Sequence, residues 1–183
     1  MDTDSNRKRQ RYLTWDQYFM AVALVSAERS KDPVTQVGAC IVNADNRIVG
    51  ACIVNADNRI VGIGYNGMPN GCSDDDMPWG KNSKDILNTK KLYVCHAEMN
   101  AIVNKICADI RGCKMYVTLY PCNNCAKIII QSGIKHVVYF DDKNRHKDEA
   151  KASQYMFDKA GITIRKYNST STQLNIGTLK SRL

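Results

Sequence analysis

The amino-acid sequence predicts a single α/β domain in which four helices are interleaved with about five strands. Three observations carry this expectation. Stretches rich in β-branched and aromatic residues alternate with stretches of helical period. Several of the helical stretches open on a capping signal or close on a glycine. A length of 183 residues suits one compact core better than two.

The elements follow in chain order. Thr14 and Gln17 form a capping box that opens a helix running to about residue 30. Tyr18, Ala21, Val22 and Val25 give that helix an apolar stripe at i, i+3, i+4 and i+7. A strand is expected over 37–42, a turn at Asn43-Ala44-Asp45-Asn46, and a returning strand over 59–64. Residues 65–93 read as a long polar loop, which in a compact domain is usually functional. A second helix is expected over about 96–107, with Met99, Ile102, Val103 and Ile106 facing the core. A strand over 114–119 leads into a helix over 122–132 that Gly133 ends. A strand over 136–140, a helix over 148–160 stopped by Gly161 and a strand over 162–167 complete the domain, set at 13–167. Residues 1–12 and 168–183 are expected to be tails.

Composition narrows the class. Hydrophobic content of 44% and charged content of 24% are ordinary for a soluble globular protein. No apolar run reaches membrane-spanning length, and no signal-peptide core follows Met1-Asp2-Thr3-Asp4, so a cytoplasmic address and no membrane partner are expected. Eight cysteines would suggest disulfides in a secreted chain; here a clustered pair reads better as metal-binding. Most of the scattered Cys40, Cys52, Cys72, Cys95, Cys107 and Cys113 are expected to be small buried hydrophobes. The net charge of +8 favours an anionic ligand without separating a nucleotide from a nucleic acid. The basic run Arg7-Lys8-Arg9-Gln10-Arg11 is read as a solvated tail.

The constellation that carries chemistry is His96-Ala97-Glu98 followed by Pro121-Cys122-Asn123-Asn124-Cys125, each half at a helix start. Cys122 and Cys125 are spaced i, i+3 and share one helix face, where the N-terminal dipole favours thiolates. With His96 they make a three-ligand set that leaves a tetrahedral zinc one open position, the mark of a catalytic site. Glu98 is the general acid–base: it takes a proton from the water that zinc acidifies and delivers it to the ring nitrogen and the departing amine. The expected reaction is hydrolytic deamination of an aminated base. With 8 Cys and 4 Pro in 183 residues, P-C-x-x-C arises by chance roughly 0.008 times, and H-x-E about 0.05 times. A redox pair would need no His-x-Glu partner on a second helix, and a structural zinc would want a fourth ligand, for which Cys95 is awkwardly placed. His136 and His146 are read as structural and surface residues.

These residues match the H-x-E…P-C-x-x-C signature, and the chain resembles the cytidine and deoxycytidylate deaminase family. Within it the resemblance is nearer the deoxycytidylate (dCMP) branch, through WDQYFM at 15–20, SKDPVTQVGA at 30–39, GIGYNGMPNG at 62–71, VCHAEMNA at 94–101 and YPCNNCA at 120–126. It implies a three-layer α/β/α fold around a mixed sheet. It implies conversion of dCMP to dUMP and ammonia, supplying thymidylate synthesis, by a homohexamer activated by dCTP with Mg²⁺ and inhibited by dTTP. By position it carries Ser30, Lys31 and Asp32 to the border of the substrate pocket. Tyr65, Asn66 and Gly67 come to a segment that contacts substrate or effector, and Ala97 joins the same set. The bland readings are a tight turn for Asn66-Gly67 and a surface charge for Lys31. A deaminase of nucleic acid, or a zinc protein whose pocket is spoiled, are the competing functions; no stretch interleaving basic and aromatic residues favours a polynucleotide.

One feature departs from that family. Residues 39–50 read ACIVNADNRIVG, and residues 51–62 repeat them without a difference. Solenoid repeats are usually longer and more numerous, so this reads as a recent duplication, an error of splicing or of gene prediction, or an artefact of cloning. The expected accommodation keeps 37–42 and 59–64 as the paired strands and lets the extra copy extend or bulge from the hairpin tip. A competing register would set 51–54 against the second strand and displace the SKDP loop. No expected zinc ligand lies inside the repeat.

Overall fold

A computed structural model describes residues 12–43 and 58–168. Thr14 caps the first helix, α1 (Trp15–Ala27), with the reciprocal Thr14–Gln17 bonds expected of the capping box. Strand β1 (Gly38–Val42) follows, then β2 (Ile60–Tyr65). Two 3₁₀ turns, Ile86–Asn88 and Lys90–Leu92, interrupt the polar loop before α2 (Ala97–Val103). Strand β3 (Lys114–Leu119), α3 (Asn123–Gln131), β4 (His136–Asp141), α4 (Asp148–Lys159) and β5 (Thr163–Lys166) complete the order.

The sheet runs β2-β1-β3-β4-β5 and is mixed: β1 is antiparallel to both neighbours, while β3, β4 and β5 are parallel. Alternation along the strands sends side chains to two cores. Ala39, Ile41, Met115, Val117 and Val137 pack against α2, α3 and α4 on one face. Cys40, Val42, Tyr116 and Val138 meet Phe19, Met20 and Ala23 of α1 on the other. The expected three-layer α/β/α arrangement is the one formed.

Two helices depart from their expected faces. In α1 the buried residues are Phe19, Met20, Ala23, Ser26 and Ala27, whereas Tyr18 and Val25 are 43% and 51% exposed. The buried stripe lies one position along from the expected one, because Phe19 stacks on Trp15 and meets Tyr116 of β3. In α2 only Ile102 of the expected four is buried; Met99, Val103 and Ile106 are exposed, and the helix ends before Ile106. Ala97, Glu98 and Ala101 take the inner face instead. The reason is close approach to β2: a Cβ on Gly64 would sit 2.3 Å from the backbone nitrogen of Ala101, so only small residues fit between helix and strand. At the far end of α3, Gly133 adopts φ 78°, the left-handed stop its sequence suggested.

β1, made of Gly38 and the first four residues of the first repeat copy, pairs with the end of the second copy and beyond, Gly38 facing Tyr65 and Ile41 facing Gly62. The competing register with 51–54 is not the one formed. β1 is bonded on both sides, also placing Ala39 opposite Val117, and Gly38 joins it directly to the loop before it. The excursion expected at the hairpin tip, Cys52, and the tails 1–11 and 169–183 lie outside the described residues. Among the other cysteines, Cys40 and Cys113 are buried as expected, Cys95 and Cys107 are half-buried, and Cys72 is exposed on the polar loop. Among the described residues no helix is long and apolar enough to cross a membrane.

Candidate metal centre and cleft

His96 and Cys122 occupy equivalent places in two elements: each is an N-cap residue with extended backbone, φ −73°, ψ 156° and φ −76°, ψ 172°. A non-helical cap turns the side chain away from the helix axis and past its end. Cys122 therefore precedes the first helical residue of α3, and Cys125 returns to the same side one turn later. Strand β3 delivers Pro121 and Cys122, and α2 packs beside α3 to bring His96 to them. The site thus sits beyond the carboxyl end of a parallel strand, where open α/β sheets place their ligands.

His96 Nδ1 lies 3.2 Å from Cys125 Sγ and 3.4 Å from Cys122 Sγ, and the three donor atoms fall within 4.8 Å of one another. Bond lengths to tetrahedral zinc imply nitrogen–sulfur separations of about 3.5 Å and sulfur–sulfur separations of about 3.8 Å. One imidazole and two sulfurs at these spacings fit zinc in both chemistry and size. Glu98, at 4% exposure, lies on the first turn of α2 and its side chain is bonded to Cys125.

The protein's own groups polarise one another. The Cys125 thiol and the His96 ring, both bonded to Cys122, bring that thiol down to about 4. The bond to Cys122 raises His96 to about 9. The same bond to Cys122, with burial, pushes Cys125 well above the usual thiol range. Burial raises Glu98.

A cleft of about 710 Å³ opens on this cluster, reaching His96, Ala97, Glu98 and Cys122. Of the residues expected at a nucleotide, Asp32, Asn66 and Ala97 line it. Ala97 does so while fully buried. The structure leaves four others off its wall. Ser30 turns to the backbone, its hydroxyl donating to the Asn66 carbonyl at 2.8 Å. Lys31 is exposed and pairs with Asp74. Tyr65 is partly exposed and offers its carbonyl to Asn100 at 2.7 Å. Gly67 is bridged to Cys95 by two backbone bonds.

The cleft also contains residues the sequence reading passed over: Lys81, Lys90, Lys91, Tyr120, Lys143 and Lys147. Nothing marks these lysines among 26 Lys and Arg residues. Tyr120 adjoins the cysteine motif and was visible there; Arg145 stacks over its ring at 4.2 Å.

The family model for the cytidine and deoxycytidylate deaminase zinc-binding region matches residues 45–141. The deoxycytidylate deaminase of Pongo abelii is 57% identical over 167 residues, 91% of this chain and 87% of that protein. A probable deoxycytidylate deaminase of Drosophila melanogaster is 50% identical, over 88% of this chain and 76% of that one. A crystal structure of dCMP deaminase from the cyanophage S-TIM5, in complex with dCMP and dUMP, superposes with a TM-score of 0.62 at 22% identity. It covers 85% of this chain and 100% of that one, a likeness of fold.

Proposed function

Because the chain belongs to the cytidine and deoxycytidylate deaminase zinc-binding family, we propose that it hydrolyses dCMP to dUMP and ammonia. The observation that carries the reading is the convergence of His96, Cys122 and Cys125 beside the buried Glu98, with His96, Glu98 and Cys122 on the wall of one cleft. Relatives named deoxycytidylate deaminase, at 57% and 50% identity, support dCMP as the substrate.

In this reading His96, Cys122 and Cys125 hold zinc. Zinc there supplies Lewis acidity that makes water a usable nucleophile near neutral pH. Glu98 is not a ligand. It accepts one proton from the attacking water and passes it to the ring nitrogen next to C4; it then takes the second proton of that water from the new C4 hydroxyl and gives it to the departing amine. The water oxygen bonds to C4, the exocyclic C–N bond breaks, and ammonia and a ring carbonyl result. Burial of Glu98 favours its protonated form and so suits a group that must hold a proton between transfers. The lysines around the cleft provide a field suited to a monophosphate.

The proposal extends, from the family resemblance, to a homohexamer in the cytoplasm that supplies dUMP for thymidylate synthesis. Activation by dCTP with Mg²⁺ and inhibition by dTTP belong to the same extension. The substrate is a free nucleotide and not a nucleic acid. Ammonia release from dCMP, dCMP with dCTP, cytidine and single-stranded DNA, measured side by side on zinc-loaded protein, tests it. Turnover of dCMP, raised by dCTP, is expected; turnover of the polynucleotide alone would overturn the substrate.

A further inference from the structure

We propose that Lys90 is a positioning residue of this site, its ammonium locking Asp32 and Asn66 into a buried polar knot that fixes one wall of the cleft. For its kinetic test the proposal rests on the reaction proposed above; its structural test does not.

The knot joins three distant segments. Asp32 is 3% exposed. One carboxylate oxygen accepts the amides of Val34 at 2.8 Å and Thr35 at 3.1 Å. The other accepts Asn66 Nδ2 at 3.1 Å, and Lys90 Nζ bonds to both. Asn66 then accepts the Val37 amide at 2.7 Å and donates to the Thr35 carbonyl at 3.0 Å. Every residue from Asp32 to Val37 that faces the cleft is therefore held, directly or through Asn66, by this carboxylate. A carboxylate so buried requires a countercharge, and Lys90, its side chain 12% exposed, supplies it. Lys90 and the backbone amides hold Asp32 below the usual carboxylate range despite its burial.

Lys90 also connects this wall to the metal cluster. Its amide donates to the Gly80 carbonyl at 2.9 Å, and its carbonyl accepts the amides of Tyr93 and Val94 at 3.1 and 3.0 Å. Cys95 is in turn bonded both ways to Gly67, at 2.9 and 3.1 Å. The chain from Lys90 to His96 is thereby tied down, so the ammonium sets the distance between the Val34–Val37 side of the cleft and the His96 side. Both oxygens of Asp32 already hold that ammonium, which separates Lys90 from Lys81, Lys91 and Lys147 of the same cleft. Those three have no carboxylate partner among the described residues. They, and not Lys90, are left to face an anionic ligand.

The test compares zinc-loaded wild type, Lys90→Met, Lys90→Arg and Asp32→Asn. Lys90→Met is expected to raise KM for dCMP about tenfold with kcat within about twofold. Lys90→Arg, which keeps the charge, is expected to recover most of the affinity, and Asp32→Asn to reproduce the loss. Hydrogen exchange at the Val34 and Thr35 amides should quicken about tenfold in Lys90→Met and Asp32→Asn, with β3 amides unchanged. A raised KM in Lys90→Met with a normal KM in Asp32→Asn would mean that Lys90 touches substrate directly, and would overturn the proposal. Unchanged exchange in Lys90→Met would overturn it as well. A wild type that leaves dCMP untouched would sink the proposed reaction while the exchange measurement still judged the knot.

Discussion

Glu98 and Asp32 are two buried carboxylates on one cleft, 4% and 3% exposed, and their surroundings give them opposite work. Burial raises Glu98, which suits a proton carrier. Burial alone would raise Asp32 too, but Lys90 and the Val34 and Thr35 amides outweigh it and lower the group. Glu98→Gln should keep one zinc per chain by elemental analysis and lose at least about 100-fold in kcat. For Asp32 the folded-state value lies below the unfolded one. Its stabilisation is therefore present above about pH 4 and is lost as pH falls through the lower folded value. Urea unfolding of metal-free protein should show wild type losing more stability than Asp32→Asn between pH 6 and pH 3; equal losses would remove this role. At this scale the sequence was legible where chemistry is rare. His96, Glu98, Cys122 and Cys125 stand out because few residue types can do their work. Lys90 could not be found, because its meaning comes from a partner 58 positions away.

The residues of the metal-ligand cluster reach one another because of how the elements end and how closely they pack. His96 and Cys122 both work from N-cap positions, and α2 can lie low on β2 only because Gly64 has no side chain. Gly64→Ala would place a Cβ 2.3 to 2.4 Å from backbone atoms of Ala101 and Ala97. Overpacking of this kind should cost about 1–3 kcal/mol and lift α2, so chemical denaturation should register the loss and zinc affinity should weaken with it. A variant with wild-type stability and zinc affinity would show that the helix is not seated through this contact. The element boundaries were readable from caps, glycine stops and strand alternation. The buried faces of α1 and α2 were not. Large apolar residues dominate a periodicity reading, whereas alanines and glycines decide the fit where helix and strand approach closely. Val103 and Ile106, 67% and 84% exposed, are apolar by type and yet lie outside the core.

Over the whole molecule, the five-stranded sheet that carries the site forms in a chain with the duplicated segment, and the β1–β2 register shifts once, between Ile41 and Val42. β1 after Gly38 is drawn from the first copy, β2 begins in the second, and their pairing runs from Gly38–Tyr65 to Val42–Ile60. Deleting residues 47–58 restores a single ACIVNADNRIVG unit and shortens the connection between these strands. Loop-closure entropy then predicts a gain of roughly 1 kcal/mol, with zinc content unchanged, measurable by urea denaturation and elemental analysis. A loss of stability would show that the excursion contributes contacts of its own. The layer order and the mixed sheet were legible from the alternation of elements together with the family resemblance, and the strand pairing was the expected one of 37–42 with 59–64. The cleft was legible only in part, because the polar loop that brings Asn66, Lys81, Lys90 and Lys91 to its wall has no periodicity to read. The account turns on one comparison: dCMP turnover and zinc stoichiometry of wild type beside Glu98→Gln and Cys122→Ser. It predicts one zinc and dUMP formation for wild type, one zinc without turnover for Glu98→Gln, and loss of both for Cys122→Ser. Undiminished dUMP formation by Cys122→Ser depleted of zinc would contradict it.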